Sequence, residues 1–193
     1  EPILLPELGT YFNSDIDEAV RSIDLCVEAG CQIIKGEVFH SPDIVFQNGF
    51  ELEYKTNHGL VKEQYYEIIK RKVLPFDDWE KIYKHCKSCG LDFVVSAYDR
   101  ATVDFLESIG ACCIKISGSN INNLPLLSYA AQTGMPLMID ARRCYLSDIA
   151  LAMETVQKNG ASKVILNHSC DGSPSPANEH NLTIIESYSG LFG

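Results

Sequence analysis

From Leu91 onward the chain repeats one phrase: a short apolar run, a helical stripe, and a glycine that closes the helix just before the next run. The runs are LDFVVSA, CCIKIS, MPLMIDA and SKVILNH, and between them stand ATVDFLESIG, NLPLLSYAAQTG and YLSDIALAMETVQKNG. The N-terminal part opens on the same beat. ILLPELG is a short run, QIIKGEVF another, and DIDEAVRSIDLCVEAG between them puts Ile16, Ala19, Val20, Ile23 and Val27 on one helical stripe. Continuous apolar runs of this length read as strands covered on both faces, and the stripes as amphipathic helices. A glycine at the helix end is the chemistry of a short αβ loop. Residues 40–61, with Pro42, Gly49, Asn57 and Gly59, read as a long irregular loop, followed by helices near 62–72 and 76–89; NEHNLTIIESYSG reads as a last helix.

Strand–helix alternation dictates parallel strands joined by right-handed crossovers, in an open doubly wound sheet or a barrel. A doubly wound sheet would announce a nucleotide with a glycine-rich first turn. PELGTYFNSD is not GxGxxG, and the sequence has no P-loop. Polar residues gather instead at the C-terminal ends of successive runs: Glu7, Lys35 with Glu37, Ser96, Lys115, Asp140, and Asn167 with His168. A (β/α) barrel builds its active site there. The expected fold class is therefore α/β, a TIM-type (β/α) barrel. About six βα units fit where eight normally take about 250 residues, so residues 1–193 read as a single barrel domain, incomplete, the N-terminal part of a longer barrel.

The charge of −10 disfavours nonspecific nucleic-acid binding and gives no general attraction to anionic membranes. No stretch reaches the roughly 20 apolar residues of a membrane span, and EPILLPELG lacks the form of a signal peptide. The eight cysteines are scattered and read as reduced thiols of a cytoplasmic protein. Cys86–Cys89 is a lone CxxC without a second pair at zinc spacing, and reads as a helix end stopped by Gly90.

The motifs resemble those of a known family. FLESIGACCIKISGSNINNLPLLSYAAQTGMPLMIDA is similar to the central barrel of the sialic acid (N-acetylneuraminate) synthases, with K-I-x-S-G-E, I-T-N-L-P-L-L and T-G-K-P-V-I-L-S in order. PELGTYFNSD is similar to A-E-I-G-x-N-H-N-G-D, AGCQIIKGEVF to A-G-A-D-A-V-K-F-Q, FVVSAYD to F-L-S-T-P-F-D, and VILNHSCDGSPSP to I-L-x-H-C-T-x-x-Y-P-x-P. The resemblance implies a synthase that condenses phosphoenolpyruvate (PEP) with an N-acyl-mannosamine-type amino sugar, giving a nonulosonic acid in carbohydrate biosynthesis. It implies a divalent metal, Mn or Mg, that polarises the sugar aldehyde. The family's ligand histidines come from later strands, so no metal ligand is expected within this chain. A homodimer is the family's habit.

Position by position, the resemblance makes Glu7 the acid–base residue and Lys35 and Lys115 the PEP lysines, with Ser96 in place of a PEP-contacting threonine. Glu37, Ser117, Asn120, Asp140, His168 and Asp171 fall on or beside further substrate-facing positions. Departures are concentrated there. The Ser and Glu of S-G-E fall on Gly118 and Asn120, unless Ser117 or Ser119 substitutes. The Gln after the first lysine is Glu37, the Ser closing the fifth strand is Asp140, and an Asn and a Tyr become Asp171 and Ser173. Lys115 reads either as a ligand-holding cation or as half of a structural ion pair with Glu7 or Asp140. Glu7 has the same two readings, and His168 either touches substrate or orients its loop. The alternatives to the synthase are a catalytically inactive barrel relative, acting as a ligand-binding or interaction module, and an aldolase forming a Schiff base on Lys115. Asn123 is the natural N-cap of the helix at Leu124–Pro125.

Overall fold

The computed structural model describes residues 3–170 and 175–193, and the chain divides into two compact units at residues 93 and 94. The first unit holds β1 (Glu7–Gly9), α1 (Ile16–Glu28), β2 (Ile33–Glu37), β3 (Glu51–Thr56), β4 (Gly59–Gln64), α2 (Tyr65–Lys70) and α3 (Phe76–Ser88). β1 and β2 pair in parallel, with Glu7 beside Lys35. α1 starts at Asp15, whose carboxylate accepts from the Glu18 amide at 3.1 Å, and it buries Ala19 and Ile23. α3 buries Trp79, Ile82 and Cys86. One face of β2 carries Ile34 and Gly36. A Cβ on Gly36 would sit 2.7 Å from the Phe93 ring and 3.6 Å from Trp79, so two aromatic rings occupy the space of its missing side chain. Lys35 and Glu37, one residue out of phase, point to the other face.

The loop expected over residues 40–61 is corrected by the structure. β3 and β4 form an antiparallel hairpin from Glu51↔Gln64 to Thr56↔Gly59, turning on Asn57–His58. Its residues are exposed or half-buried throughout, so no buried face imposes the apolar alternation by which a strand is recognised. Its anchor is polar. The Arg71 guanidinium donates twice to Glu63, at 2.7 Å each, and Tyr54 donates to the same carboxylate. The helix expected at 62–72 is correspondingly shorter, because residues through Gln64 belong to β4.

The second unit takes most of β5 (Asp92–Ser96), then α4 (Arg100–Ile109), β6 (Cys113–Ile116), α5 (Leu124–Gln132), β7 (Leu137–Asp140), α6 (Leu146–Lys158), β8 (Val164–Asn167) and α7 (Ile184–Phe192). β5 through β8 are parallel neighbours in chain order, with Ser96↔Lys115, Lys115↔Met138 and Asp140↔Asn167 in register. Registered residues of a parallel sheet share a face. Ile114, Ile116, Leu137 and Ile139, all 0% exposed, therefore form one face, and they join Leu106, Leu127 and Val156 of α4, α5 and α6 in the core. The opposite face carries Ser96, Cys113, Lys115, Met138, Asp140 and Asn167. The apolar runs thus hide a period of two: large aliphatics on one face, small, flexible or polar residues on the other.

The crossovers end as their residues dictate. Asp99 accepts from the Thr102 amide at 2.8 Å to start α4, and Asn123 from the Leu126 amide at 3.3 Å to start α5. Gly110 ends α4 at φ 70, ψ 41, a left-handed conformation open to glycine at little cost. The last helix starts later than expected. Residues 177–179 form a separate 3₁₀ turn, and Asn181 at φ 46 breaks the path between that turn and α7. Among the described residues, no helix is long and apolar enough to cross a membrane.

Candidate active site

In the second unit the strand ends build a small polar constellation. Lys115, on β6, reaches Asp140 at the end of β7, with Nζ to Oδ2 at 3.3 Å. The two side chains are only 12% and 8% exposed. Ser96, in register with Lys115, is fully buried. Its Oγ has no hydrogen-bond partner among the described residues, and neither has Asp140 Oδ1. Burying a cation and an anion is costly unless they are paired, and the Lys115–Asp140 pair meets that condition. An ammonium carries three N–H donors, and Asp140 takes one. Spare donors on Lys115, the Ser96 hydroxyl and the second Asp140 oxygen leave a buried set that can both give and accept hydrogen bonds. Such a set suits a small oxygen-rich molecule.

The loop after β6 is fixed by its own contacts. Gly118 admits no side chain, because a Cβ there would lie 2.6 Å from the Arg142 carbonyl oxygen. The serine of the resembled motif therefore has no room at this position. Ser117 and Ser119 hydrogen-bond each other at 2.7 Å. Asn120 accepts from Asn123 at 3.2 Å, so its amide supports the α5 cap. His168, after β8, donates from Nε2 to the His180 carbonyl at 2.8 Å. It lines a cleft of about 620 Å³ with Arg143, Tyr145, Glu179 and Tyr188. Asn167 donates to Ser169 at 3.0 Å. Asp171 and Ser173 lie outside the described residues.

In the first unit Lys35 is 5% exposed and donates to Glu7, its neighbour across the β1–β2 pair. Glu37 Oε1 stands 3.7 Å from the same Nζ. Glu37 also bears on Tyr65: burial, and secondarily this carboxylate, push the phenol above its usual range. Glu7 and Lys35 are thus brought together, as are Ser96, Lys115 and Asp140, while Ser117, Asn120 and His168 have local partners of their own.

The strand ends do not fit the divalent metal that the resemblance implies: among the described residues no three His, Cys, Asp or Glu ligand atoms converge there. A group that does converge lies elsewhere, Asp24 with His85 and Cys89. The CxxC reading passes over it, since the pairing is His85-x₃-Cys89 on one helix face, and an i, i+4 spacing was the available signal. Cys86 is fully buried, and burial pushes its thiol up to about 12. All eight cysteines are free.

Comparison with known proteins places the chain in a family. The chain is 26% identical to the N,N'-diacetyllegionaminic acid synthase of Legionella pneumophila, over 98% of its own length and 54% of that protein's. It is 25% identical to the N-acetylneuraminate-9-phosphate synthase of Drosophila melanogaster, over 94% of its length and 49% of that protein's. The chain thus spans about half the length of these relatives. In fold it is similar to the N-acetylneuraminic acid synthetase of Leptospira borgpetersenii, with a TM-score of 0.86 at 20% identity over all of this chain and 62% of that one. The family model of NeuB matches residues 22–193, and the chain belongs to the NeuB family.

Proposed function

We propose that this chain is the greater part of the barrel of a PEP-dependent synthase that joins PEP to an N-acyl-mannosamine-type amino sugar and releases phosphate, in nonulosonic acid biosynthesis. The observation that carries this reading is the buried Lys115, held by Asp140 beside a Ser96 hydroxyl that has no partner among the described residues. A cation with spare donors and a free hydroxyl is the minimum for holding one end of a small polyanion. Membership of a family whose relatives include a legionaminic acid synthase and an N-acetylneuraminate-9-phosphate synthase supports the reaction class.

In the proposal, Lys115 and Ser96 bind an oxygen-bearing end of PEP, and Asp140 keeps the lysine extended until the ligand arrives. Lys35 is the second cation. Glu7, hydrogen-bonded to it, is positioned for proton transfer, which needs a carboxylate within hydrogen-bond reach of the exchanging group. By the same resemblance Glu37, Asn120, His168 and Asp171 are further substrate-facing residues. The eight free thiols fit a reducing compartment, and a cytoplasmic location and a homodimer belong to the same proposal.

Asp140 favours one competing reading, in which its carboxylate has replaced the bound anion and the barrel no longer turns over. Calorimetric titration of PEP into the protein, alongside the Ser96→Ala and Lys115→Met variants, decides. Saturable binding weakened in both variants supports the synthase. A folded wild-type protein that takes up no PEP would sink it and leave the inactive module.

A further inference from the structure

In the first unit, at the C-terminal ends of α1 and α3, three side chains of different chemistry converge. His85 Nε2 lies 2.7 Å from Asp24 Oδ1 and 3.7 Å from Cys89 Sγ, and all three ligand atoms lie within 4.8 Å of one another. The bland account is an ion pair tying α1 to α3. It accounts for Asp24 and His85 but leaves the thiol facing a ring nitrogen that can donate only one proton. We propose that Asp24, His85 and Cys89 form a binding site for a thiophilic divalent cation of the Zn²⁺ class, joining the two helices.

The distances suit that ion. Tetrahedral zinc with bonds of about 2.0 Å to nitrogen and about 2.3 Å to sulfur holds those ligand atoms about 3.5 Å apart, and nitrogen and oxygen about 3.3 Å apart. The observed 3.7 and 2.7 Å each lie within about 0.6 Å of those separations, a shift that one rotation of a half-exposed aspartate supplies. A carboxylate and a thiolate also balance the two positive charges. The mixed N, O and S donors select zinc or cobalt over magnesium and calcium, which take oxygen. Asp24 is exposed and His85 and Cys89 are half-buried, so the ion has a path in, and water fills the fourth position. Cys86, one turn earlier, faces the core and takes no part. Within the first unit the site is distinct from the Glu7, Lys35 and Glu37 group: α1 and α3 finish where β2 and β5 begin, whereas Glu37 stands at the far end of β2.

The test is a Co²⁺ titration of the chelator-stripped protein, followed by absorption and then by Zn²⁺ displacement. The expected result is one equivalent of Co²⁺ with a thiolate-to-cobalt charge-transfer band. That band should vanish in Cys89→Ser and persist in Cys112→Ser. Affinity should fall at least about tenfold in His85→Gln and Asp24→Asn, the lower end of what even outer-shell changes cost at metal sites. Asp24→Asn keeps size and polarity, and matched circular dichroism shows that each variant is folded. No charge-transfer band in the wild type, or a band unchanged in Cys89→Ser, overturns the proposal.

Discussion

Lys115 and Asp140 tie stability and ligand binding to the same pair, and substitution can separate the two. Lys115→Met leaves Asp140 as an unpaired buried anion, and breaking such a pair costs about 3–5 kcal/mol. Adding Asp140→Asn removes the orphaned charge, so the double variant should recover most of that loss in denaturant unfolding while still failing to bind PEP. A double variant as unstable as Lys115→Met alone would mean that packing, and not charge, sets the cost. Asp140→Asn by itself should tighten PEP binding, by roughly tenfold if the carboxylate's competition for Lys115 is worth about 1.4 kcal/mol. Looser binding would mean instead that Asp140 is needed to aim the lysine. Gly118 is decided by sterics. A Cβ 2.6 Å from the Arg142 carbonyl forces backbone to move, and Gly118→Ala should cost about 1–3 kcal/mol, read from the unfolding midpoint.

Among the elements, the ones that cover a core were legible from the sequence and the one that does not was missed. α4, α5 and α6 stood out because Leu106, Leu127 and Val156 recur on buried faces and because a cap or a glycine marks their ends. Glu7, Lys35, Ser96, Lys115 and Asp140 were legible because each sits where an apolar run turns polar; the sequence offered Lys115 either Glu7 or Asp140 as a partner, and only the structure shows Glu7 with Lys35 and Lys115 with Asp140. The β3–β4 hairpin gave no signal because its stability is polar and local. Hydrogen bonds from Arg71, and then Tyr54, hold the Glu63 carboxyl down at about 2, against about 4.3 for an unstructured glutamate. Its contribution is therefore fully present above about pH 4.3 and is lost as pH falls through about 2. Amide resonances of residues 51–64 should titrate together across that window, and Glu63→Gln should abolish the step. A step that persists in the variant would assign it to another acid. α3 makes the opposite kind of prediction: Cys86, fully buried and with its thiol up at about 12, should resist iodoacetamide at pH 8 until the unfolding transition and react within it.

At the scale of the whole molecule the open question is what covers β8. Among the described residues it pairs with β7 and with no other strand, and Ile165 on it is 52% exposed. α7, which follows, leaves Ile185 54% and Leu191 60% exposed, and a cavity of about 320 Å³ lies between Val164 and Leu166 of the strand and Tyr188 and Phe192 of the helix. An unpaired strand edge beside apolar side chains is a template for another chain, and a complete (β/α)₈ barrel has no such edge. The chain spans about half the length of its relatives, so in a longer protein further strands would meet this edge. The 193 residues alone should accordingly associate as concentration rises, through β8 and α7. Ile185→Lys places a charge on α7, against the Val164 and Leu166 face of β8 and not on the face that carries Lys115, and it should shift the sedimenting species towards monomer while leaving PEP binding unchanged. Wild-type protein that stays monomeric at high concentration would show that α7 already shields the edge.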